Sequence, residues 1–270
     1  GLSAGRREIK ADGLMLIPGF VDIHTHYDGQ ATWDSALSPS CWHGVTTAVF
    51  GNCGVGFAPL KAPDAGYLIN LMQGVEDIPE AVLAEGIDFT WETFGEYMQA
   101  LADKPHAMDI GTQLPHAALR FYVMGQRGAD HREVPTPAEL QTMTRLAEEA
   151  LLAGALGVST SRTPKHRSGD GRPTPSMTAD APELLALAEG LRRAGRGVLQ
   201  VNSDFGPGEY ELLRQAARHS GRPLSVLTKR SSTCCSWLVM ARPSPGRAVW
   251  LMIMRTCWRF CCMASTLMAA

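Results

Sequence analysis

Acidic residues are missing from the last stretch of this 270-residue chain: no Asp or Glu follows Glu211. Beyond about Leu227 neither a helical nor a strand period persists. Arg, Cys, Trp, Met and Ser accumulate there instead, and Trp237, Trp250 and Trp258 are half of the six tryptophans. This places a boundary near residue 228. Three readings of 228–270 stand side by side: a segment read in the wrong frame or otherwise unrelated to what precedes it, an interaction tail, or a membrane anchor over 248–270. The length suits a spanning helix. Against it, Arg255 and Arg259 would each cost about 2.5–3.5 kcal/mol near the helix centre.

Other absences narrow the function. A strong charge of either sign is lacking, with a formal net charge of −2 and 19% charged residues. That excludes an electrostatic footprint for nucleic acid or for an anionic membrane. The opening Gly-Leu-Ser-Ala-Gly-Arg-Arg has no Met and no apolar core, so no secretory signal is legible and a cytoplasmic location is expected. A start so close to a catalytic-looking motif also predicts residues upstream of it. The seven cysteines are uneven, with Cys41 and Cys53 early and Cys234, Cys235, Cys257, Cys261 and Cys262 crowding the end. Without a secretory context they do not form a disulfide framework. No internal repeat is present. What remains is a chain of 45% hydrophobic residues, enough for one large α/β domain.

The pattern up to residue 227 alternates apolar β-like runs with helices. Strands are predicted over 20–24, 45–50, 108–114, 155–160, 197–202 and 223–227. Helices are predicted over 91–102, 136–153, 180–194 and 208–219. Thr136 with Glu139 makes a capping box, Pro137 takes the first helical position, and Gly154, Gly195 and Gly221 are stop signals. Such alternation implies parallel strands covered by helices. A (β/α)8 barrel has eight such units; six are readable here, which predicts an incomplete TIM-like barrel over 18–227. An open barrel exposes sheet edges, and poor solubility of the chain by itself follows.

The strongest chemical signal is Phe20-Val-Asp-Ile-His24-Thr-His26-Tyr-Asp28. Residues two apart on a strand share a face, so His24 and His26 can bind one Zn²⁺ at about 2.0–2.1 Å each. The plain alternative is two polar histidines on a surface loop. Cys53 ends the second strand in Gly51-Asn-Cys-Gly-Val-Gly56, where its thiolate is a candidate third ligand at about 2.3 Å. An inert buried cysteine and a nucleophile are the other readings. Asp28 is a candidate for orienting a ligand or touching substrate, or else a turn cap. Arg120 is a candidate for a substrate carboxylate, or else a surface ion pair. His116, His166 and the Ser203-Asp204 pair are further polar groups that could face a pocket.

The segment Leu16-Ile-Pro-Gly-Phe-Val-Asp-Ile-His-Thr-His-Tyr-Asp28 resembles the first-strand motif of the amidohydrolase superfamily. His43-Gly-Val-Thr-Thr-Ala-Val-Phe-Gly-Asn-Cys-Gly-Val-Gly-Phe-Ala-Pro59 is similar to the second-strand region of the D-aminoacylase (N-acyl-D-amino-acid deacylase) family, and Ala155-Leu-Gly-Val-Ser-Thr-Ser161 resembles its fourth strand. The likeness covers residues 1 to about 227 and corresponds to the family's N-terminal part.

The resemblance implies a distorted (β/α)8 metal-dependent hydrolase barrel, with residues 1–17 as a remnant of a small β-sandwich. It implies zinc on His24, His26 and Cys53, and hydrolysis of small-molecule N-acyl amino acids at a linear amide. It places the general base, an aspartate, after the last barrel strand, a position beyond this chain. It also implies zinc histidines on the fifth and sixth strands, which here read Val198-Leu-Gln-Val-Asn-Ser-Asp-Phe205 and Arg222-Pro-Leu-Ser-Val-Leu-Thr228, without histidine. The chain is therefore expected to be truncated and inactive by itself; a cyclic-amide hydrolase of the dihydroorotase or hydantoinase kind and a non-catalytic fragment are the alternatives. Some superfamily members use a fourth-strand lysine to bridge two metals. Lys165, the nearest lysine, sits well into the loop beyond that strand, and the Gly-Asn-Cys-Gly run also disfavours the cyclic-amide reading.

Overall fold

The computed structural model describes residues 9–231, 234–240 and 251–257, and the side chains of 9–228. Strands β1 (Phe20–Asp22), β2 (Val45–Phe50) and β3 (Asp109–Thr112) form a three-stranded parallel sheet in that order. Strands β4 (Leu114–Pro115), β5 (Gly157–Arg162), β6 (Val198–Ser203) and β7 (Leu224–Ser231) follow one another, also parallel, in a second sheet. The strand expected over 108–114 is therefore split at Gln113. Its first half pairs with β2 and its second half with β5. Gln113 ties the break together: its N–H donates to Phe50 O at 3.0 Å and its Nε2 to Asn52 Oδ1 at 2.7 Å.

The helices are α1 (Ala65–Glu76), α2 (Glu80–Gly86), α3 (Phe94–Ala102), α4 (His116–Met124), α5 (Pro137–Leu152), α6 (Ala181–Ala194) and α7 (Glu209–Ser220). The capping box at Thr136 forms in both directions, with Glu139 N–H to Thr136 Oγ1 at 3.3 Å and Thr136 N–H to Glu139 Oε2 at 2.7 Å. Asp180 caps α6 by accepting from Glu183 N–H at 3.2 Å. Helix α3 starts later than its apolar spacing predicts, because Thr93 and Glu96 form a second capping box there. Trp91 stays outside the helix and donates Nε1–H to Phe57 O at 2.8 Å. Helix α4 escapes periodicity because every residue from His116 to Phe121 is buried, so it has no polar stripe to reveal it.

Parallel order ends where the composition changes. Strand β8 (Cys234–Met240) is antiparallel to β7, and β9 (Leu251–Cys257) is antiparallel to β8. Only residues 232 and 233 separate β7 from β8, and a parallel neighbour needs a crossover of about a dozen residues or more. The expectation that no strand persists past residue 228 is thus corrected for these two segments. Of the anchor considered over 248–270, residues 251–257 are strand and the rest lies outside the described residues. No helix among the described residues is long and apolar enough to cross a membrane.

At the other end, residues 9–17 form no strand. Leu14 N–H turns back to Ala11 O at 2.9 Å, and Ile9, Leu14, Met15 and Leu16 are exposed. Of the segment 1–17, read above as a remnant of a small β-sandwich, residues 9–17 thus pair with no strand among the described residues, and residues 1–8 lie outside the description.

Both faces of β5 and β6 are covered, as parallel sheets require. Val158, Leu199 and Val201 join the apolar core. The opposite face carries Ser159, Ser161, Gln200 and Asn202, all buried, with Ser159 beside Gln200 and Ser161 beside Asn202 in register. A buried polar face on two central strands needs partners, and it finds them around Cys53.

Candidate metal centre

Strand β1 stops at Asp22, whose Oδ1 accepts His24 N–H at 3.1 Å. Thr25 N–H still reaches Val49 O at 2.8 Å, which keeps the chain alongside β2. His24 and His26 therefore lie just past the C-terminal end of β1, not within it as the alternation argument has it. Their rings nonetheless meet edge to face, with centroids 5.2 Å apart.

Cys53 follows the C-terminal end of β2 in a turn whose backbone is left-handed at Gly51, Cys53 and Gly54. A Cβ at Gly51 would strike the Gln113 backbone, and one at Gly54 would lie 2.9 Å from Ser161 N. Those two positions must be glycine. Cys53 itself has φ +55°, a conformation costing of order 1–3 kcal/mol for a residue with a side chain. The polar face of β5 and β6 holds it there. Cys53 N–H donates to Gln200 Oε1 at 3.2 Å, Gly54 N–H to Ser159 Oγ at 2.9 Å, and Ser159 Oγ–H to Gly51 O at 2.5 Å.

The thiol meets the histidines. Cys53 Sγ is 3.3 Å from His24 Nε2, and the donor atoms of His24, His26 and Cys53 all lie within 4.8 Å of one another. Cys53, Glu76 and His166 form a second group with the same spread. His26 Nε2 is 3.1 Å from Glu76 Oε1. Asn202 Nδ2 lies 3.6 Å from Cys53 Sγ and 3.3 Å from His166 Nε2, and His166 Nδ1 is 2.9 Å from Ser161 Oγ. Nitrogen and sulfur ligands at about 2.0–2.1 Å and 2.3 Å from one tetrahedral zinc stand roughly 3–4 Å apart. Imidazole and thiolate are ligands that zinc accepts readily. The donor set fits such an ion.

Asp28 links the two motifs. It is fully enclosed, accepts Gly51 N–H, and lies where a Cβ on Gly56 would come within 2.7 Å of Oδ1. Burial, only partly offset by the Gly51 N–H, pushes its carboxyl up to about 7 from 3.8. A folded-state value above the unfolded one stabilises the fold fully below pH ~3.8, and that contribution is lost as pH rises through about 7. Relative to Asp28→Asn, the metal-free protein should thus lose on the order of 3 kcal/mol between pH 4 and pH 7, with a slope of at most about 1.4 kcal/mol per pH unit. Urea unfolding of both proteins across that range checks it; a constant difference would show that Asp28 is ionised throughout.

Arg120 is not brought to this cluster. Successive residues of a strand point to opposite faces. Ser159 and Ser161 face Cys53, so Thr160 faces the helices, and His116 Nδ1 contacts its Oγ1 at 2.9 Å. His116 Nε2 is 2.9 Å from Glu183 Oε1, and Glu183 also pairs with Arg120. The remaining Arg120 donors reach the carbonyls of Gly128, Asp130 and Glu133. The guanidinium is wholly buried in the helical layer; a substrate carboxylate there would have to displace Glu183. Burial alone would raise the Glu183 carboxyl, but hydrogen bonds and charge from His116 and Arg120 hold it below its ordinary value. Lys165 and Asp204 pair with each other at 3.1 Å, and Thr163 also donates to Asp204. Asp204 belongs to neither of the two groups that contain Cys53.

Of the histidines weighed in the sequence, His166 joins the thiol and His116 does not. Gln200, Asn202 and Glu76 are additions. Gln200 and Asn202 were signalled by polar residues two apart on an otherwise apolar strand. Glu76 carries no such signal, as the last residue of a helix whose periodicity is weak.

The sequence model of the amidohydrolase family matches residues 7–248. N-acyl-D-aspartate deacylase of Alcaligenes xylosoxydans xylosoxydans is 36% identical over 188 residues, which cover 69% of this chain and 33% of that protein. A D-aminoacylase crystal structure aligns with TM-score 0.58 and 31% identity over 77% of this chain and 40% of its own. N-acyl-D-glutamate deacylase from Bordetella bronchiseptica, solved with zinc and a phosphonate mimic of the tetrahedral intermediate, aligns with TM-score 0.53 and 25% identity over 78% of this chain and 41% of its own. The chain spans about a third of the length of the curated relatives it matches. With a match that runs through both the histidine and the cysteine motifs, the chain belongs to the amidohydrolase family.

Proposed function

We propose that His24, His26 and Cys53 bind zinc, and that they contribute to a site hydrolysing the linear amide of small N-acyl amino acids of the D series. One observation carries this reading: the mutual approach of three zinc-type donors, within 4.8 Å, at the C-terminal ends of β1 and β2. That end of a parallel barrel is where active sites sit. The deacylase names of the relatives support the substrate class. The parallel strands are read as part of an open (β/α)8 barrel over 18–227, with 228–270 as a separate segment and 1–17 as a remnant of a small β-sandwich.

When bound, zinc supplies Lewis-acid polarisation of an amide carbonyl and activation of water. The chain's own residues fix the donors. Gln200 and Asn202 hold Cys53 by its N–H and its sulfur, Asp28 joins the His-x-His loop to the Cys53 turn through Gly51, and Asn52 Nδ2 bonds to Thr25 O at 3.1 Å.

The test is zinc content followed by release of free amine from N-acetyl-D-amino acids and their L counterparts. About one or more zinc per chain, with D-selective release, supports the reading. Folded protein that takes up no zinc, or cleavage of cyclic amides in preference, overturns it.

A further inference from the structure

The polar face that holds Cys53 does not stop where its strands do. Ser159 stands beside Gln200 and Ser161 beside Asn202 in the register of β5 and β6. Thr163 and Asp204 make the next rung. Thr163 Oγ1–H donates to Asp204 Oδ2 at 2.6 Å, and Lys165 Nζ donates to Asp204 Oδ1 at 3.1 Å. Resting on the metal and substrate reading above, we infer that Lys165, positioned by Asp204, binds the α-carboxylate of the N-acyl amino acid at the mouth of the site.

Which side of the sheet this rung serves follows from its neighbours. Arg162 and Ser203 are partners in register, and both reach Glu209 at the start of α7, Arg162 Nε at 2.5 Å and Ser203 Oγ at 3.3 Å. Alternation then puts Thr163 and Asp204 on the other side, with Asn202, whose Nδ2 lies 3.6 Å from Cys53 Sγ. The spacing suits the substrate. Two residues of strand advance about 6.6 Å. The carboxylate carbon of an N-acyl amino acid is three bonds from the amide carbon, at most about 3.8 Å away. An ammonium–carboxylate hydrogen bond adds about 2.8 Å between N and O. An amide carbon at the metal donors therefore meets a cation through its α-carboxylate about one rung further out, where Lys165 is.

Access and rigidity point the same way. Arg162 and Arg120 are held on the helix side by Glu209 and Glu183, and the Arg162 side chain is only 7% exposed, against 44% for Lys165. The segment carrying Lys165 is fixed in place. Lys165 N–H donates to Thr163 Oγ1 at 3.3 Å. Gly74 of α1 lies so close to the backbone of 167–169 that any Cβ would overlap it, and Gly169 N–H donates to Asn70 O at 2.8 Å. An ammonium carries three donors, so Lys165 can keep Asp204 while donating to a second carboxylate. Asp204 by itself would repel an anionic substrate, and its pairing with Lys165 offsets that repulsion.

The test titrates the whole zinc-loaded chain by calorimetry with N-acetyl-D-alanine and with N-acetyl-D-alaninamide, which lacks the carboxylate. The wild type should bind the acid about 10-fold or more tightly than the amide. Lys165→Met should remove that preference by weakening the acid and leaving the amide unchanged. Lys165→Arg should keep most of it. Lys165→Met combined with Asp204→Asn should regain part of the loss, because the repulsion leaves with Asp204, an outcome that mere damage to the loop would not give. Far-UV circular dichroism and melting check that each variant is folded. Acid and amide bound alike by the wild type, neither bound, or a preference that survives Lys165→Met overturns the inference, while bound zinc keeps the metal reading standing. A folded chain that takes up no zinc overturns the metal reading instead. The same titration without metal then decides the carboxylate contact: an acid preference lost in Lys165→Met supports it, and no preference overturns it.

Discussion

Cys53→Ser should strip the protein of tightly bound zinc while leaving it folded. Cys53 belongs to both groups of clustered donors, and its sulfur stands 3.3 Å from His24 Nε2, so its loss reaches every metal the chain holds. Partners one shell further out typically account for 10–100-fold in metal affinity; removing the shared thiolate should weaken binding by more than about 100-fold. The fold should survive. Serine keeps the backbone N–H that donates to Gln200, occupies less volume, and presents a hydroxyl to the polar face of Ser159, Ser161, Gln200 and Asn202. Cys41→Ser is the control, because Cys41 is a half-buried free thiol that belongs to neither donor group. Its zinc content should match the wild type.

Breaking the pair between Glu183 and Arg120 should produce the largest loss of stability. Both side chains are buried, Glu183 bonds His116 and Arg120 together, and Arg120 spends its other donors on three backbone carbonyls. Removing one member of a buried pair leaves an uncompensated charge, at a cost of about 3–5 kcal/mol. Glu183→Gln and Arg120→Met should each fall in that range by urea unfolding. The double substitution should cost clearly less than the sum, because it removes both charges. Zinc content should not change, since the cluster lies on the helix side of β5 while Cys53 lies on the other. An Arg120→Met protein of normal stability would return Arg120 to the list of groups available to a substrate.

How much of this was legible depends on what each residue reports locally. Helices α5 and α6 are readable because their caps are sequence-local: Thr136 and Glu139 are three apart, and Asp180 precedes Pro182. Helix α4 is not, because burial on all sides erases its period. The division of the third strand at Gln113 depends on which neighbour each half pairs with, a non-local fact. The His24, His26 and Cys53 set is legible because two short motifs each carry ligand-type residues at strand ends. The place of Arg120 is not, because sequence spacing puts it after a strand without saying which face of the sheet it serves. That becomes clear only once Ser159 and Thr160 are known to point opposite ways. Glu76 and His166 come together through the contact at Gly74, which no local pattern encodes.

Zinc K-edge X-ray absorption of the zinc-loaded chain tests the central claim most directly. One sulfur scatterer at about 2.3 Å per zinc, with the remaining shell nitrogen or oxygen near 2.0–2.1 Å, and loss of that sulfur in Cys53→Ser, is the predicted result. A shell of nitrogen and oxygen alone in the wild type would place the metal away from Cys53 and contradict the account.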